Sequence, residues 1–304
     1  MNMPNFLIIG AAKAGTTALY SYINQHPQVF MSSEKEPHFF AFDEGEKVNF
    51  TGTAGEQEWL NRNAITDINL YQQQFRGADK AIAIGEASAL YLYIPKAAER
   101  IYHYIPKAKL IAILRNPVER AYSGFIFQKR DGLEPNTDFA QALKQEEWRM
   151  KNNWVPIYYY QDMGFYYQQL QRYFNLFPQE QIKIYLYDDF ISNPSQLVQD
   201  AFRFLGVDDT FRPNTSARHN VSGIPKSKAL HSFLRAENHP IKTILKPLIP
   251  KTLRRNVMRN LHNKNLEKAP PLAQDIRKQL IEVYREDILK LQELLQKDLT
   301  KWLE

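Results

Sequence analysis

Short apolar runs alternate with amphipathic stretches along this chain, and the alternation is its main structural message. Four runs, Phe6–Gly10, Ala81–Gly85, Lys109–Arg115 and Ile182–Tyr187, end at a polar residue or glycine, or just before one. A strand buried on both faces reads this way, so these runs predict parallel strands. Between them, helices are predicted over Thr16–His26, Pro95–Ile105, Val118–Lys129, Tyr166–Phe177 and Pro194–Leu205. A proline suits the first turn of such a helix, and Asn116-Pro117 marks the start of the third. Near the C-terminus, Ile281, Tyr284, Ile288, Leu291, Leu295, Leu299 and Trp302 recur at three- and four-residue steps, a stripe that should pack on the domain. Strand–helix alternation predicts an α/β fold: a P-loop-like three-layer sandwich with a central parallel sheet and helices on both faces. Ligands then belong at the carboxyl ends of the strands.

Two stretches interrupt the pattern. Residues 42–77 are polar, with Gly52, Gly55 and Asn/Gln clusters, and are expected to form surface loops and a short helix. Residues 212–270 contain prolines 213, 225, 240, 247, 250 and 270 and are expected to form an irregular lid and its support. The chain is therefore read as one domain over residues 1–304 with two inserted regions.

Composition changes this picture in three ways. With 44% hydrophobic and 13% aromatic residues the chain has material for a large core, so disorder is excluded. Cysteine is absent, which removes disulfides, thiolate metal sites and a cysteine nucleophile, and fits a reducing cytoplasm. No apolar run reaches the length of a membrane span, and no basic leader precedes the first run, so a cytoplasmic protein without a transmembrane segment is expected, more like a bacterial enzyme than a Golgi one. The net charge of +6 is uneven: Arg218–Lys268 carries twelve Lys or Arg against Glu237 and Glu267. That local excess fits an anionic ligand, acceptor or surface, or a solvated helical face.

The candidate chemistry begins at IGAAKAGTT, residues 9–17. A strand, a glycine turn and a helix present backbone N–H groups and a positive helix end to an anion. Gly10 and Gly15 have P-loop spacing, but Thr16 and Thr17 stand where a nucleotide kinase has Lys-Ser or Lys-Thr, and Lys13 comes three residues early. A kinase also needs a hydroxyl and an acid on Mg²⁺. IYLYDD, ending at Asp188 and Asp189, is the stretch that would supply the acid. A second anion site is expected at LRNPVERAYSGF, where Arg115 offers a bidentate fork and Ser123 a hydroxyl one to two turns into the next helix. The plainer alternative pairs Arg115 with a nearby carboxylate. KEPHFF offers Glu36 and His38, which share a face if the segment is extended. The aromatics Trp154, Tyr158–Tyr160 and Phe165–Tyr167 suit either an acceptor wall or the core. The remaining histidines lack metal-ligand spacing, and there is no G-x-S-x-G elbow.

The order of a strand, KAGTTAL, HPQV, KEPHFF, GEAS and LRNPVERAYS resembles the sulfotransferases that use 3′-phosphoadenosine-5′-phosphosulfate (PAPS). It is most similar to the branch with heparan sulfate N- and 3-O-sulfotransferases and many bacterial homologues. The resemblance runs from Phe6 to about Leu205 and returns in the last helix. It implies an EC 2.8.2 enzyme that moves a sulfuryl group in line to a hydroxyl or amine of a glycan, lipid or small metabolite, releasing 3′,5′-adenosine bisphosphate (PAP), with no metal and no nucleic-acid partner. By the same resemblance, Lys13, Ala14, Gly15, Thr16 and Thr17 hold the 5′-phosphosulfate, and Lys13 reaches the bridging oxygen. Arg115 and Ser123 hold the 3′-phosphate, and Lys226, Ser227 and Lys228 close over it. Glu36 acts as base, with His38 as the alternative, and a raised Glu36 pKa would suit that work. Glu36, Glu86, Ser88 and Tyr158 are the expected acceptor contacts. The chain departs from the family at Ala87, where the glycan enzymes commonly carry lysine, and in lacking the disulfide of the animal members. Two rival readings stand beside this one: a Mg²⁺-dependent small-molecule kinase or NTPase on the same loop, and a nucleic-acid or anionic-membrane binder built on the basic stretch. The latter lacks interleaved aromatics and any nucleic-acid signature.

Overall fold

The first apolar run forms the centre of the sheet. Phe6–Gly10 is β1, with every residue buried, and a short loop carries the chain into α1 (Thr16–Ile23). The structure is a computed structural model that describes residues 3–42, 44–53, 55–216, 223–227, 230, 231, 261 and 265–304. After α1 come β2 (Val29–Met31), α2 (Glu56–Asn63), α3 (Ile68–Gln73), β3 (Ala83–Ala87), α4 (Ala97–Tyr104), β4 (Lys109–Leu114) and α5 (Pro117–Arg130). Next are α6 (Phe139–Lys144), α7 (Glu146–Lys151), α8 (Tyr166–Phe174), β5 (Ile182–Leu186), α9 (Tyr187–Ser192) and α10 (Pro194–Leu205). A short antiparallel pair, β6 (Ile224–Pro225) and β7 (Leu266–Glu267), precedes α11 (Gln274–Leu295).

The main sheet has the order β2-β3-β1-β4-β5, with all neighbours parallel. The chain leaves the central strand toward one edge, returns, and then builds the other side. The topological switch therefore lies between the carboxyl ends of β1 and β4, where an open α/β sheet leaves its crevice. Packing beneath the crevice is close. A Cβ on Gly85 would lie 2.3 Å from the Phe6 ring, so a side chain there would displace the centre of the sheet.

Several boundaries differ from the sequence pattern for identifiable reasons. β3 covers Ala83–Ala87, not Ala81–Gly85, and pairs Leu7 with Glu86. Counting apolar residues ends that strand before Glu86, yet the carboxylate stays in register because Tyr71 and Ser88 donate to it at 3.2 and 2.9 Å. α1 stops at Ile23, short of His26, because Pro27 has no N–H to give Ile23 and disfavours helix at His26. β2, three residues long, is too short to show any periodicity. The C-terminal stripe splits into α11 and a 3₁₀ turn over Thr300–Leu303, which buries Trp302 against Tyr166.

Residues 42–77 are more than surface loops. They contain α2 and α3, and Tyr71 and Phe75 are buried in the core, with Tyr71 stacked on Phe39 at 4.4 Å between ring centroids. Of the basic 212–270 region, most residues, including Lys228, lie outside those described. Among the described residues no helix is long and apolar enough to cross a membrane.

Candidate functional site

A cavity of about 330 Å³ opens at the carboxyl ends of β1 and β4. One wall comes from the two strand–loop–helix units identified above. Gly15, with φ of 98°, takes a left-handed conformation that turns the chain into α1, and among the described residues no side chain caps that helix. Its first-turn N–H groups and the side chains of Thr16 and Thr17 thus meet the cavity as an anion cradle. Ala14, one of the expected donor contacts, is buried in the core and is not among the residues that line the cavity.

Lys13 reaches into the same space, its Nζ 3.5 Å from the centroid of the Phe127 ring. Burial, reinforced by Arg130 and Arg115 and opposed by Asp131 and Glu36, lowers its pKa to about 7. An ammonium removed from water and set among other cations is an incomplete arrangement, and an anion would complete it. On the neighbouring loop, Asn116 Oδ1 accepts from the N–H groups of Val118 and Glu119 at 3.0 and 3.4 Å. This cap starts α5 directly after Arg115 and brings Ser123 and Phe127, four residues apart, onto one face toward the cavity.

Arg115 lies over the Tyr187 ring at 4.8 Å. Among the described residues its guanidinium makes only long contacts otherwise, 3.4 Å to the Lys13 carbonyl and 3.8 Å to Glu119. Glu119 is engaged by Arg277 as well. Contacts of that length are weak, so the guanidinium fork is not consumed by the carboxylate.

The opposite wall carries Glu36 and His38, both with positive φ, 63° and 59°. Lys13, at 70°, shares that conformation, so three of the five non-glycine residues with positive φ among those described stand around one cavity. Each costs roughly 1–2 kcal/mol, and backbone strain of this kind collects at functional sites. The 36–38 turn is held by bonds from Glu36 N to Ala87 O and from His38 N to Ser88 Oγ, both 3.1 Å.

The two side chains have different states. Burial pushes the Glu36 carboxyl up, but Lys35, His38 and Lys13 outweigh it and hold the pKa below the usual carboxylate value. Lys35 Nζ stands 2.5 Å from Glu36 Oε1. The raised pKa expected for this residue is therefore reversed: Glu36 is a standing carboxylate, 29% exposed. His38 is 2% exposed, and burial lowers its pKa to about 4, so its imidazole is neutral. Its Nε2 lies 3.5 Å from Glu36 Oε2, and Nδ1 is buried without a hydrogen-bond partner among the described residues.

Three expected acceptor contacts do not line the cavity. Glu86 and Ser88 are fully buried and bonded to each other, and burial lifts the Glu86 pKa to about 7. They hold the 36–38 turn from behind. Tyr158 is also fully buried, its hydroxyl 2.5 Å from Thr53 Oγ1 and donating to the Leu133 carbonyl. Tyr158, Tyr160 and Tyr166 are core, the structural alternative for that cluster. Lys226 and Ser227 are exposed beside β6, joined to Asn265, and lie outside the cavity lining. Asp188 and Asp189 are exposed at the start of α9 and do not line it either. Residues the sequence pattern did not single out do line it: Phe127, Tyr187, Trp59, Leu60, Val155 and Ile157. Phe127 was detectable as the helical neighbour of Ser123; the last four come from distant segments joined only by folding.

The sulfotransferase domain family matches residues 3–288. The chain belongs to that family. A solved sulfotransferase from Alicyclobacillus acidocaldarius is 32% identical, covers 100% of both chains and has a TM-score of 0.77. The membrane-associated sulfotransferase kil1 of Dictyostelium discoideum is 23% identical over 80% of this chain and 65% of its own. Human bifunctional heparan sulfate N-deacetylase/N-sulfotransferase 3 is 30% identical over 67% of this chain. The chain spans 22% of that larger protein and under two thirds of the Dictyostelium one.

Proposed function

We propose that this sulfotransferase takes PAPS as donor and transfers its sulfuryl group in line to an acceptor hydroxyl or amine, with residues 1–304 acting as one domain. The observation that carries the reading is the convergence, in one cavity, of an uncapped helix N-terminus, Lys13, Arg115 and Ser123 on one wall with the Glu36 carboxylate on the other. Two separate anion sites, on β1–α1 and β4–α5, suit a nucleotide carrying phosphate at both ends of its ribose. Thr16, Thr17 and the α1 N–H groups would hold the 5′-phosphosulfate, and Arg115 and Ser123 the 3′-phosphate.

In the transfer step the acceptor oxygen or nitrogen bonds to sulfur as the sulfur–oxygen bond to the 5′-phosphate breaks. The electron pair leaves with PAP, and the acceptor proton passes to Glu36. Lys13, as its ammonium, stabilises the oxygen on which charge develops, an electrostatic contribution made in a partly dehydrated site. Glu36 is the base because it is ionised and open to the cavity. His38, neutral and enclosed, positions it. Lys226, Ser227 and Lys228 are retained as the segment that closes over the donor.

Calorimetric titration with PAP and with ATP, each in EDTA and with Mg²⁺, tests the donor. PAP should bind without metal and more tightly than ATP. ATP binding that requires Mg²⁺, with no PAP binding, would return the site to kinase chemistry.

A further inference from the structure

The two ends of the cavity differ in chemistry. Among the described residues that line it, the cations are Lys13 and Arg115 and the only acid is Glu36. Both cations belong to the donor end. The same lining includes the apolar side chains of Trp59, Leu60, Val155 and Ile157. Trp59 is 44% exposed, and its ring meets the His38 ring edge-on with centroids 6.2 Å apart. Leu60 and Val155, both buried, line the same cavity. A large exposed aromatic that lines a cavity together with aliphatic side chains is built to cover an apolar body.

This wall is fixed in place. Asn61 on α2 exchanges two hydrogen bonds of 2.9 Å with the backbone of Phe50. Thr51 N donates to Asn153 O at 2.8 Å, Thr51 Oγ1 bonds Asn152 O, and Thr53 Oγ1 donates to Leu133 O at 3.0 Å. The segment bearing Trp59 and Leu60 is thereby clamped to the one bearing Val155 and Ile157, and both segments line the cavity with Glu36.

Given the PAPS-dependent reading above, we infer that the acceptor is uncharged and carries its reacting hydroxyl or amine on an aromatic or aliphatic body seated against Trp59, Leu60, Val155 and Ile157. A uronic-acid glycan would bring carboxylates toward the Glu36 carboxylate, where Lys35 is already engaged by Glu36 and, among the described lining residues, the cations Lys13 and Arg115 serve the donor. A neutral sugar would leave hydroxyls unpaired against these side chains, and each one buried in that way is unfavourable.

The test compares 2-naphthol and decan-1-ol with an unsulfated uronic-acid oligosaccharide as acceptors for PAPS, while PAP affinity is measured separately by calorimetry. Wild-type protein should sulfate an apolar alcohol with the higher kcat/KM. Trp59→Ala should raise its KM about tenfold, Trp59→Phe should restore most of it, and PAP affinity should stay within twofold in both. Preference for the oligosaccharide overturns the inference, as does turnover of neither apolar alcohol by protein that binds PAP. Loss of PAP affinity in Trp59→Ala with an unchanged acceptor KM would assign the indole to the donor and also overturn it. Wild-type protein that fails to bind PAP overturns the donor reading itself, and this assignment with it.

Discussion

On the reading proposed above, the donor and acceptor sides of the cavity are made in opposite ways. The donor side consists of two local units, a strand followed at once by a loop and a helix, in which Lys13 and Thr16 or Arg115 and Ser123 lie within a few residues of each other. The acceptor side is assembled from segments about a hundred residues apart, as the bond between Thr51 N and Asn153 O shows. Local units keep their geometry because backbone hydrogen bonds and caps set it. A wall made of distant segments can change without disturbing the sheet. The difference separates a loop wall tied to the fold from an apolar wall tied to an insertion.

Substitutions should divide along the same line. The largest effect is expected for Glu36→Gln, which removes the proton acceptor and should lower kcat by roughly 10²- to 10⁴-fold. PAP affinity should stay near the wild-type value, and a parallel loss of binding would place Glu36 on the donor side. Lys13→Ala should lower kcat by roughly 10²- to 10³-fold, and single-turnover rates at saturating PAPS would isolate that step. Arg115→Ala should weaken PAP by roughly 10- to 100-fold while leaving acceptor KM unchanged. Wild-type PAP affinity in that variant would remove Arg115 from the donor site.

The pH response is a smaller effect that sharpens the contrast. Lys13 titrates at about 7 in the ligand-free protein, and a bound polyanion favours its charged form, raising that value. PAP binding above pH 7 should therefore take up a proton, and affinity should fall as pH rises, by up to about tenfold per unit. Calorimetry in buffers of different ionisation enthalpy reads the uptake, and Lys13→Ala should abolish it. Glu36, held below the ordinary carboxylate range, should add no titration near neutrality.

The smallest expected effect concerns stability. Glu86 titrates at about 7 in the fold, above the usual 4.5, because it is buried. Folding then binds a proton between those values, so its contribution is complete below about 4.5 and is lost as pH rises through about 7. Glu86→Gln should flatten the fall in Tm between pH 5 and 8 by roughly a few degrees. An unchanged slope would mean that Glu86 is ionised in the fold.

Much of this architecture was legible because buried parallel strands write themselves as apolar runs. Phe6–Gly10 and the starts of β4 and β5 appear where the pattern puts them. Asn116-Pro117 announced α5 through capping chemistry that acts over three residues. β3 drifted by two residues because a buried carboxylate breaks the apolar pattern, and only Tyr71 and Ser88, brought to it by the fold, make that burial tolerable. Tyr158 illustrates the opposite error. An aromatic in a cluster has the same one-dimensional appearance in a wall as in a core, and burial decided for the core.

The sequence by itself determined the parallel α/β class, the glycine loop with its early lysine, and the spacing of Arg115 and Ser123 around the capped start of α5. Each is legible within a few residues, whereas the pairing of β1 with β4 sets the two loops side by side. Tertiary structure alone decided the charge state of Glu36, which depends on Lys35, His38 and Lys13 gathering around it. It also decided that Glu86 and Ser88 support the site from behind, and that Trp59, Leu60, Val155 and Ile157 come to line one cavity. A pKa and a pocket wall depend on which distant groups share a small volume, and linear spacing carries no measure of that distance.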